Sequence, residues 1–374
     1  MKWRSVCRKG LEEYKGASGE PESASPIRGI RPSDVIKMLR RGPLTLRRLA
    51  DALDRGRPTV DAVLVEMIER GYAIQRKLER VELPLIPPHP PPRPIIRTPQ
   101  AVVRFGVTAD THFGSLWEQP PNLAAWVDEI YDEGIRHVLH GGDAVAGKNV
   151  YKGQLYENYC HSATSQVEAA DARLPCKPGL FWYVLGGNHD YSFWRLSGLD
   201  PIAMLAARRD DIVRIGYDAA DVPILPDMDA RLWHPRKGPA YALSYHGQKY
   251  VEQLAFQELL KVVLGDKPTP SIRWLLVAHF HWMGLFLQGP IWLMHAGCWQ
   301  GQTGYEMSKG LVPQIAGATV ECKIRDSAVV DMVYHPRSYR EIEEDYLNFP
   351  MPKATLTQRE QVEPLFTYTG GDDG

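Results

Sequence analysis

Between Pro84 and Pro99 the chain reads PLIPPHPPPRPIIRTP, eight prolines in sixteen positions. Each proline removes a backbone N–H and fixes its own φ, so the run can neither continue a helix nor pair inside a sheet. What remains is an extended, semi-rigid spacer. It divides the 374 residues into two units that must each bury a core. Residues 83–100 are therefore expected to be a Pro-rich linker between domains.

Upstream, residues 1–27 are rich in Gly, Ser, Glu and Pro without periodicity and are expected as a flexible arm. Residues 28–82 carry helical periodicity. Pro32-Ser33-Asp34 opens a first helix with Val35, Ile36, Met38 and Leu39 apolar, and Gly42-Pro43 ends it. Thr45 caps a second helix, with Leu46, Leu49, Ala50 and Leu53 on one face. Pro58-Thr59 begins a third, with Val60, Val63, Leu64, Met67 and Ile68 inward, stopped by Gly71. A β-like stretch, 72–78, follows. Three short helices and a terminal ribbon make the winged-helix pattern, a helix-turn-helix variant. Residues 28–82 hold 13 Lys and Arg against 8 Asp and Glu, although the whole chain has a net charge of −1. Arg40, Arg41, Arg47, Arg48, Arg76 and Lys77 are the candidate contacts to a DNA backbone. A solvated basic face on a protein-docking module is the competing reading.

From Ala101 strands and helices alternate. Strands are expected at 102–107, 135–139, 180–185, 241–245, 274–278 and 291–294, with a pair inside 318–334; helices are expected at 122–133 and 162–173. This is an α/β domain over 101–336, with residues 337–374 as a loose acidic tail. The five cysteines, Cys7, Cys160, Cys176, Cys298 and Cys322, form no C-x-x-C pair, which argues against a disulfide framework or a zinc–thiolate site. The opening residues lack the apolar core of a signal peptide. The apolar stretch 274–297 is interrupted by His279, His281, Gln288 and His295, which would be costly in lipid. A cytoplasmic protein without a membrane partner is the expectation, in a host cytoplasm if the chain is phage-encoded.

Polar residues gather where strands meet loops. Asp110 and His112 form D-x-H, Asp143 ends G-G-D, and Asn188, His189 and Asp190 belong to G-N-H-D. His246 lies in S-Y-H-G, and His279 and His281 in A-H-F-H. Each piece alone is common. Together they offer carboxylate, imidazole and amide donors without sulfur, which suits Mn²⁺, Fe²⁺ or Zn²⁺ rather than a structural zinc. The number of donors exceeds the needs of one ion with open positions and matches two ions sharing a carboxylate. On an extended segment, a single intervening residue would bring Asp110 and His112 out on one side.

In that order the motifs resemble those of the calcineurin-like metallophosphoesterase superfamily. The resemblance covers about residues 102–333 and implies a four-layer α/β/β/α sandwich with a dinuclear site at one edge. It implies one ion on Asp110, His112, Asp143 and His281 and another on Asp143, Asn188, His246 and His279. It further implies an activated water between the ions as nucleophile, His189 as general acid or charge stabiliser, and Asp190 orienting His189. Mn²⁺ is the expected pair of ions, with Fe²⁺, Zn²⁺ or Mg²⁺ as alternatives. Gly142–Gly147 with Tyr151 and Gln154, and Gly297–Thr303 with Trp299 and Gln300, resemble segments of the archaeal D-family DNA polymerase small subunit, an exonuclease; DNA-repair and phage metallophosphoesterases share such motifs. Tyr151, Gln154, Trp299 and Gln300 are accordingly candidate substrate contacts. The expected activity is a DNA exonuclease or end-processing nuclease, with DNA and replication or repair proteins as partners. A phosphomonoesterase or small-nucleotide phosphodiesterase is one alternative, and a DNA-binding adaptor with a structural metal domain is another.

Overall fold

The structure is a computed structural model; it describes residues 26–70, 72, 74–77, 80–82, 102–225, 227–238, 242–264, 271–325 and 328–342. The expected arm up to residue 25, the linker 83–100 and the chain beyond 342 lie outside these residues.

The first unit runs α1 (Pro32–Leu39), β1 (Leu44–Thr45), α2 (Leu46–Ala52), α3 (Arg57–Glu69), β2 (Gln75–Lys77) and β3 (Arg80–Glu82). Proline in the first turn starts α1, and the Thr45 side chain caps α2 by accepting from Arg48 N at 3.2 Å. Val35, Ile36, Leu39, Leu49, Val60, Val63, Leu64 and Met67 are buried together, whereas Ile68 turns outward at 40% exposure. The strands form an antiparallel sheet in the order β1-β3-β2.

The second unit continues with β4 (Val102–Thr108), α4 (Pro120–Asp132), β5 (His137–His140), α5 (Ala163–Arg173), β6 (Phe181–Gly186), α6 (Asn188–Ser197), α7 (Pro201–Arg208), β7 (Ile212–Tyr217), β8 (Ala219–Leu225) and β9 (Met228–Trp233). After these come α8 (Tyr245–Leu264), β10 (Ser271–Val277), β11 (Gly284–Gln288), β12 (Ile291–His295), α9 (Gly304–Lys309), β13 (Ala316–Arg325) and β14 (Ala328–Ser338). Two sheets result. The larger has the order β14-β13-β4-β5-β6-β7, with β4 to β7 parallel. The smaller has the order β11-β12-β10-β9-β8, with a parallel centre β12-β10-β9.

Alternation along the strands builds the layers. Val103, Phe105 and Val107 of β4 meet Trp274 and Leu276 of β10 between the sheets, where the Phe105 and Trp274 rings pack edge to face at 5.8 Å. Leu275 and Val277 point the other way, onto Val251 and Leu254 of α8. Strand β10 is thus apolar on both faces because both are covered, which accounts for its membrane-like composition. On the far side of the large sheet, Trp126 and Ile130 of α4 and Val167 and Ala170 of α5 cover Val138, Trp182 and Val184. The order is α/β/β/α. No helix among the described residues is long and apolar enough to cross a membrane.

The structure departs from the sequence expectations in several places; β7, β8, β9, β11, α6, α7 and α9 are additional elements. Tyr245 begins α8 instead of ending a strand; five residues cannot distinguish a period of two from one of 3.6, and Ser244 O accepts from Gln248 N as a first helical turn requires. Strand β14 runs to Ser338, past the expected tail boundary. Residues 339–342 are then tied down: Tyr339 N donates to Ile315 O, Asn122 Nδ2 to Arg340 O, and Ile342 N to Gln119 Oε1. The two units also touch directly. Tyr72 bridges to Leu199, Arg40 donates to Arg195 O, and one apolar cluster runs from Val35 and Leu64 to Leu199 and Ile202.

Candidate metal centre

Strands β4, β5 and β6 of the large sheet and β9 and β10 of the small one end at a common edge, and the loops that follow are stitched together by backbone hydrogen bonds. Asp110 N donates to Gly142 O at 2.8 Å, His112 N to Asp143 O at 3.0 Å, and Ala278 N to Trp233 O at 3.1 Å. The D-x-H and H-x-H segments are not extended. Asp110, His112, Asp143, His279 and His281 have φ of 54°, 46°, 53°, 79° and 55°. Left-handed backbone at a non-glycine residue costs roughly 1–2 kcal/mol. Five such residues in one cluster show that the backbone is bent to aim these side chains, and the expected strand-like alternation is wrong. Gly142, at φ +113°, permits the close approach: a Cβ there would lie 2.6 Å from His234 Nδ1.

Three groups of side chains bring their donor atoms within 4.8 Å of one another: Asp110, His112 and His281; His112, Asp143 and His189; and Asp143, His234 and His279. The Nε2 atoms of His112 and His281 are 3.1 Å apart. His234 Nε2 is 3.1 Å from both Asp143 Oδ2 and Asn188 Oδ1. Donors at about 2.0–2.2 Å from one cation stand about 3 Å from each other, so these spacings fit coordination. Asp110 Oδ1 is buried without a hydrogen-bond partner, as a carboxylate oxygen reserved for a cation would be. His112 and Asp143 each belong to two of the three groups, which makes the cluster continuous.

The electrostatics agree with the geometry. Burial, reinforced by neighbouring histidines, holds His112 well below the usual imidazole range, and burial brings His279 to about 4. Both are neutral, with a lone pair to offer. Burial opposes the charge on His234, yet Asp143 lifts it to about 9; burial likewise opposes His281, which nearby Cys298 and Glu306 raise. Coordination of a cation by His234 would have to displace such a proton.

Around these donors lie side chains that hold them. Glu306 Oε1 accepts from His281 Nδ1 at 2.7 Å, while its Oε2 accepts from Thr303 N at 2.9 Å in the capping box of α9. His140 lies 3.2 Å from Thr111 Oγ1 and accepts from Gly142 N at 3.3 Å. His189 Nδ1 lies 2.6 Å from Ala146 O, which turns Nε2 toward Asp143 Oδ2 at 3.9 Å.

Several expected site residues stand elsewhere. His246 opens α8, lies 3.2 Å from Gly238 O and stacks on Phe280; it belongs to none of the donor groups, and His234 at the end of β9 stands beside Asp143 and Asn188. Asp190 does not touch the His189 ring. Its carboxylate accepts from Gly187 N, Ala144 N and Val145 N, fastening the Asn188 loop to the Asp143 loop. Trp299 and Gln300 are buried, one bonded to Thr108 Oγ1 and the other to Ser115 Oγ. Gln154 is also buried and donates to Ala146 O. Tyr151 remains at the rim, its ring 6.1 Å from that of His189. Of the basic candidates, Arg40, Arg41, Arg47 and Arg48 are exposed, Arg76 pairs with Asp61, and the Lys77 side chain is outside the described residues.

The sequence profile of the family described as calcineurin-like phosphoesterase matches residues 103–308, more than half of the chain. The chain belongs to that family. The donor groups above are the candidate ligands for divalent ions in this calcineurin-like phosphoesterase. A DNA polymerase II small subunit from Halobacterium salinarum is 25% identical over 263 residues, 62% of this chain and 50% of the relative. The chain thus spans about half the length of the curated relatives it matches. Among solved structures, a novel archaeal phosphodiesterase overlaps 63% of this chain and all of its own, with 12% identity and a TM-score of 0.34. Vps29 of Entamoeba histolytica, complexed with Zn²⁺, overlaps 64% and all of its own chain, with 14% identity and a TM-score of 0.30.

Proposed function

We propose that the chain is a dinuclear phosphodiesterase that cleaves DNA from an end, with Mn²⁺ as its preferred ion. The observation that supports the dinuclear reading is the position of Asp143: of the two residues shared between donor groups, His112 and Asp143, it alone is a carboxylate with two oxygens to offer, one group holding His112 and His189 and the other His234 and His279. Asp110, His112 and His281 would hold one ion, Asn188, His234 and His279 the other, and Asp143 would lie between. When bound, such a pair supplies Lewis acidity and a water of lowered pKa.

The remaining chemistry belongs to the chain. With Nδ1 anchored on Ala146 O, a protonated His189 directs Nε2–H into the cluster and can donate to the departing oxygen. Asp190 locks the backbones of the two loops that carry Asp143 and His189. Glu306 fixes the tautomer of His281 by receiving its Nδ1–H.

Two features favour DNA. The relative from Halobacterium salinarum is a DNA polymerase subunit. The first unit, read as a winged helix, exposes Arg41, Arg47 and Arg48, the kind of side chains that bind phosphate backbones. Digestion of DNA labelled at either end, with Mn²⁺, Mg²⁺, Fe²⁺ or Zn²⁺, tests the proposal. The expected result is stepwise shortening from one end, lost on chelation and in His189→Ala. Turnover of nucleotides with no shortening of either DNA form would replace the nuclease reading by a small-nucleotide one.

A further inference from the structure

Beside the donor cluster lies an aromatic pair that the proposed chemistry leaves unused. Tyr151 and Tyr305 come from distant parts of the chain and lie face to face, with ring centroids 4.4 Å apart and planes inclined by 22°. Glu157 braces both: Oε2 accepts from the Tyr151 hydroxyl at 2.5 Å, and Oε1 accepts from Tyr305 N at 3.1 Å. The pair spans the rim of the site. Tyr151 stands against His189, and Tyr305 directly precedes Glu306, the partner of His281. One face of Tyr305 is covered by Tyr151, and the residue is 39% exposed.

The surroundings combine aromatic and basic character. The Lys309 ammonium lies 5.9 Å from the Tyr305 ring centre, and Lys152, next to Tyr151, is exposed. Tyr156, on the same loop as Tyr151, is 83% exposed. The Tyr151 hydroxyl is spent on Glu157 and its ring backs that of Tyr305, so the face the pair offers to a ligand is the one Tyr305 turns away from Tyr151. Flat rings among lysines are the elements with which proteins hold unpaired bases: the ring takes a base face, and the ammonium takes the phosphate. Inside a duplex both faces of an internal base are covered by its neighbours, so such a platform disfavours an internal paired base.

We propose that the Tyr151–Tyr305 pair is a stacking platform for an unpaired nucleobase next to the scissile phosphate, so that the strand entering the site is single-stranded there. This rests on the phosphodiesterase reading above and specifies its substrate. The test is binding of the metal-loaded full chain to a short fluorescent strand with hydrolysis-resistant phosphorothioate links. It is compared with the same strand made abasic and with a blunt duplex, using wild type, Tyr305→Ala and Tyr305→Phe.

Tyr305→Ala is expected to weaken single-strand binding about tenfold or more, the scale of one lost base–ring stack. Tyr305→Phe should restore it, and the abasic strand should bind weakly and be indifferent to the substitution. Should Tyr305→Ala fold poorly, Tyr305→Leu keeps the bulk without the ring and is read the same way. Equal losses on normal and abasic strands, or tighter binding of the duplex, would overturn the platform. Cleavage of an ordinary strand is followed in parallel. The stacking pattern without cleavage leaves the platform standing and removes the nuclease reading; cleavage with Tyr305-indifferent binding does the reverse.

Discussion

Histidines 234 and 246 make opposite predictions for metal uptake. His234 is fully buried, and its Nε2 lies 3.1 Å from both Asp143 Oδ2 and Asn188 Oδ1. His246 is half-buried, and among the described residues its polar contact is Gly238 O at 3.2 Å. Changing a residue that merely supports a ligand costs about 10–100-fold in metal affinity, so loss of a ligand should cost more than ~100-fold, or about 3 kcal/mol. His234→Asn should therefore take up one tight Mn²⁺ per chain instead of two. His246→Asn should keep both, with stability within about 0.5 kcal/mol of wild type. Titration calorimetry of the metal-free protein, with metal counted after dialysis, gives both numbers, and circular dichroism verifies the fold. Loss of an ion in His246→Asn with two retained in His234→Asn would refute the assignment.

Three further outcomes follow from the site. Asp190→Ala strands the N–H groups of Gly187, Ala144 and Val145, at about 1–3 kcal/mol for each one left unsatisfied, so urea unfolding should show a loss of several kcal/mol even without metal. His234, lifted to about 9, must give up its proton to coordinate; Mn²⁺ affinity should fall as pH drops below 9, by up to about tenfold per unit for that proton, and calorimetry in buffers of different ionisation heat should register the release. Replacing Arg47 and Arg48 together with alanine should weaken DNA binding alike across sequences and flatten the slope of log affinity against log salt by about 1.8, whereas an unchanged slope assigns that face to protein docking.

Strands β4, β5, β6 and β10 are legible because each is a short apolar run stopped by a polar cluster, as at Phe105–Asp110 and Leu139–Asp143. The donors that follow them are legible for the same reason. His234 was missed because β7, β8 and β9 follow one another with almost no connecting residues, and three abutting strands give no boundary signal. Its mark was the alternation of Ala230 and Leu232, both buried, leading to the strand end. Glu306 was also readable, as the fourth residue of a T-x-x-E capping box after Thr303, although its bond to His281 depends on packing between distant loops. Trp299 and Gln300 are candidate contacts by motif alone, and a motif is silent on whether its residues face solvent or core; both are buried.

The donor residues are divided between the two sheets. Asp110, His112, Asp143 and Asn188 follow strands of the larger, whereas His234, His279 and His281 follow strands of the smaller. Any cation held by His112 and His281 together is therefore a rivet through both halves of the sandwich, not an ornament on one of them. Loading the ions tightens the architecture as well as arming it, by an amount that grows with the logarithm of free metal over its dissociation constant. Withholding the metal would therefore loosen the frame of the sandwich as well as empty its donor cluster.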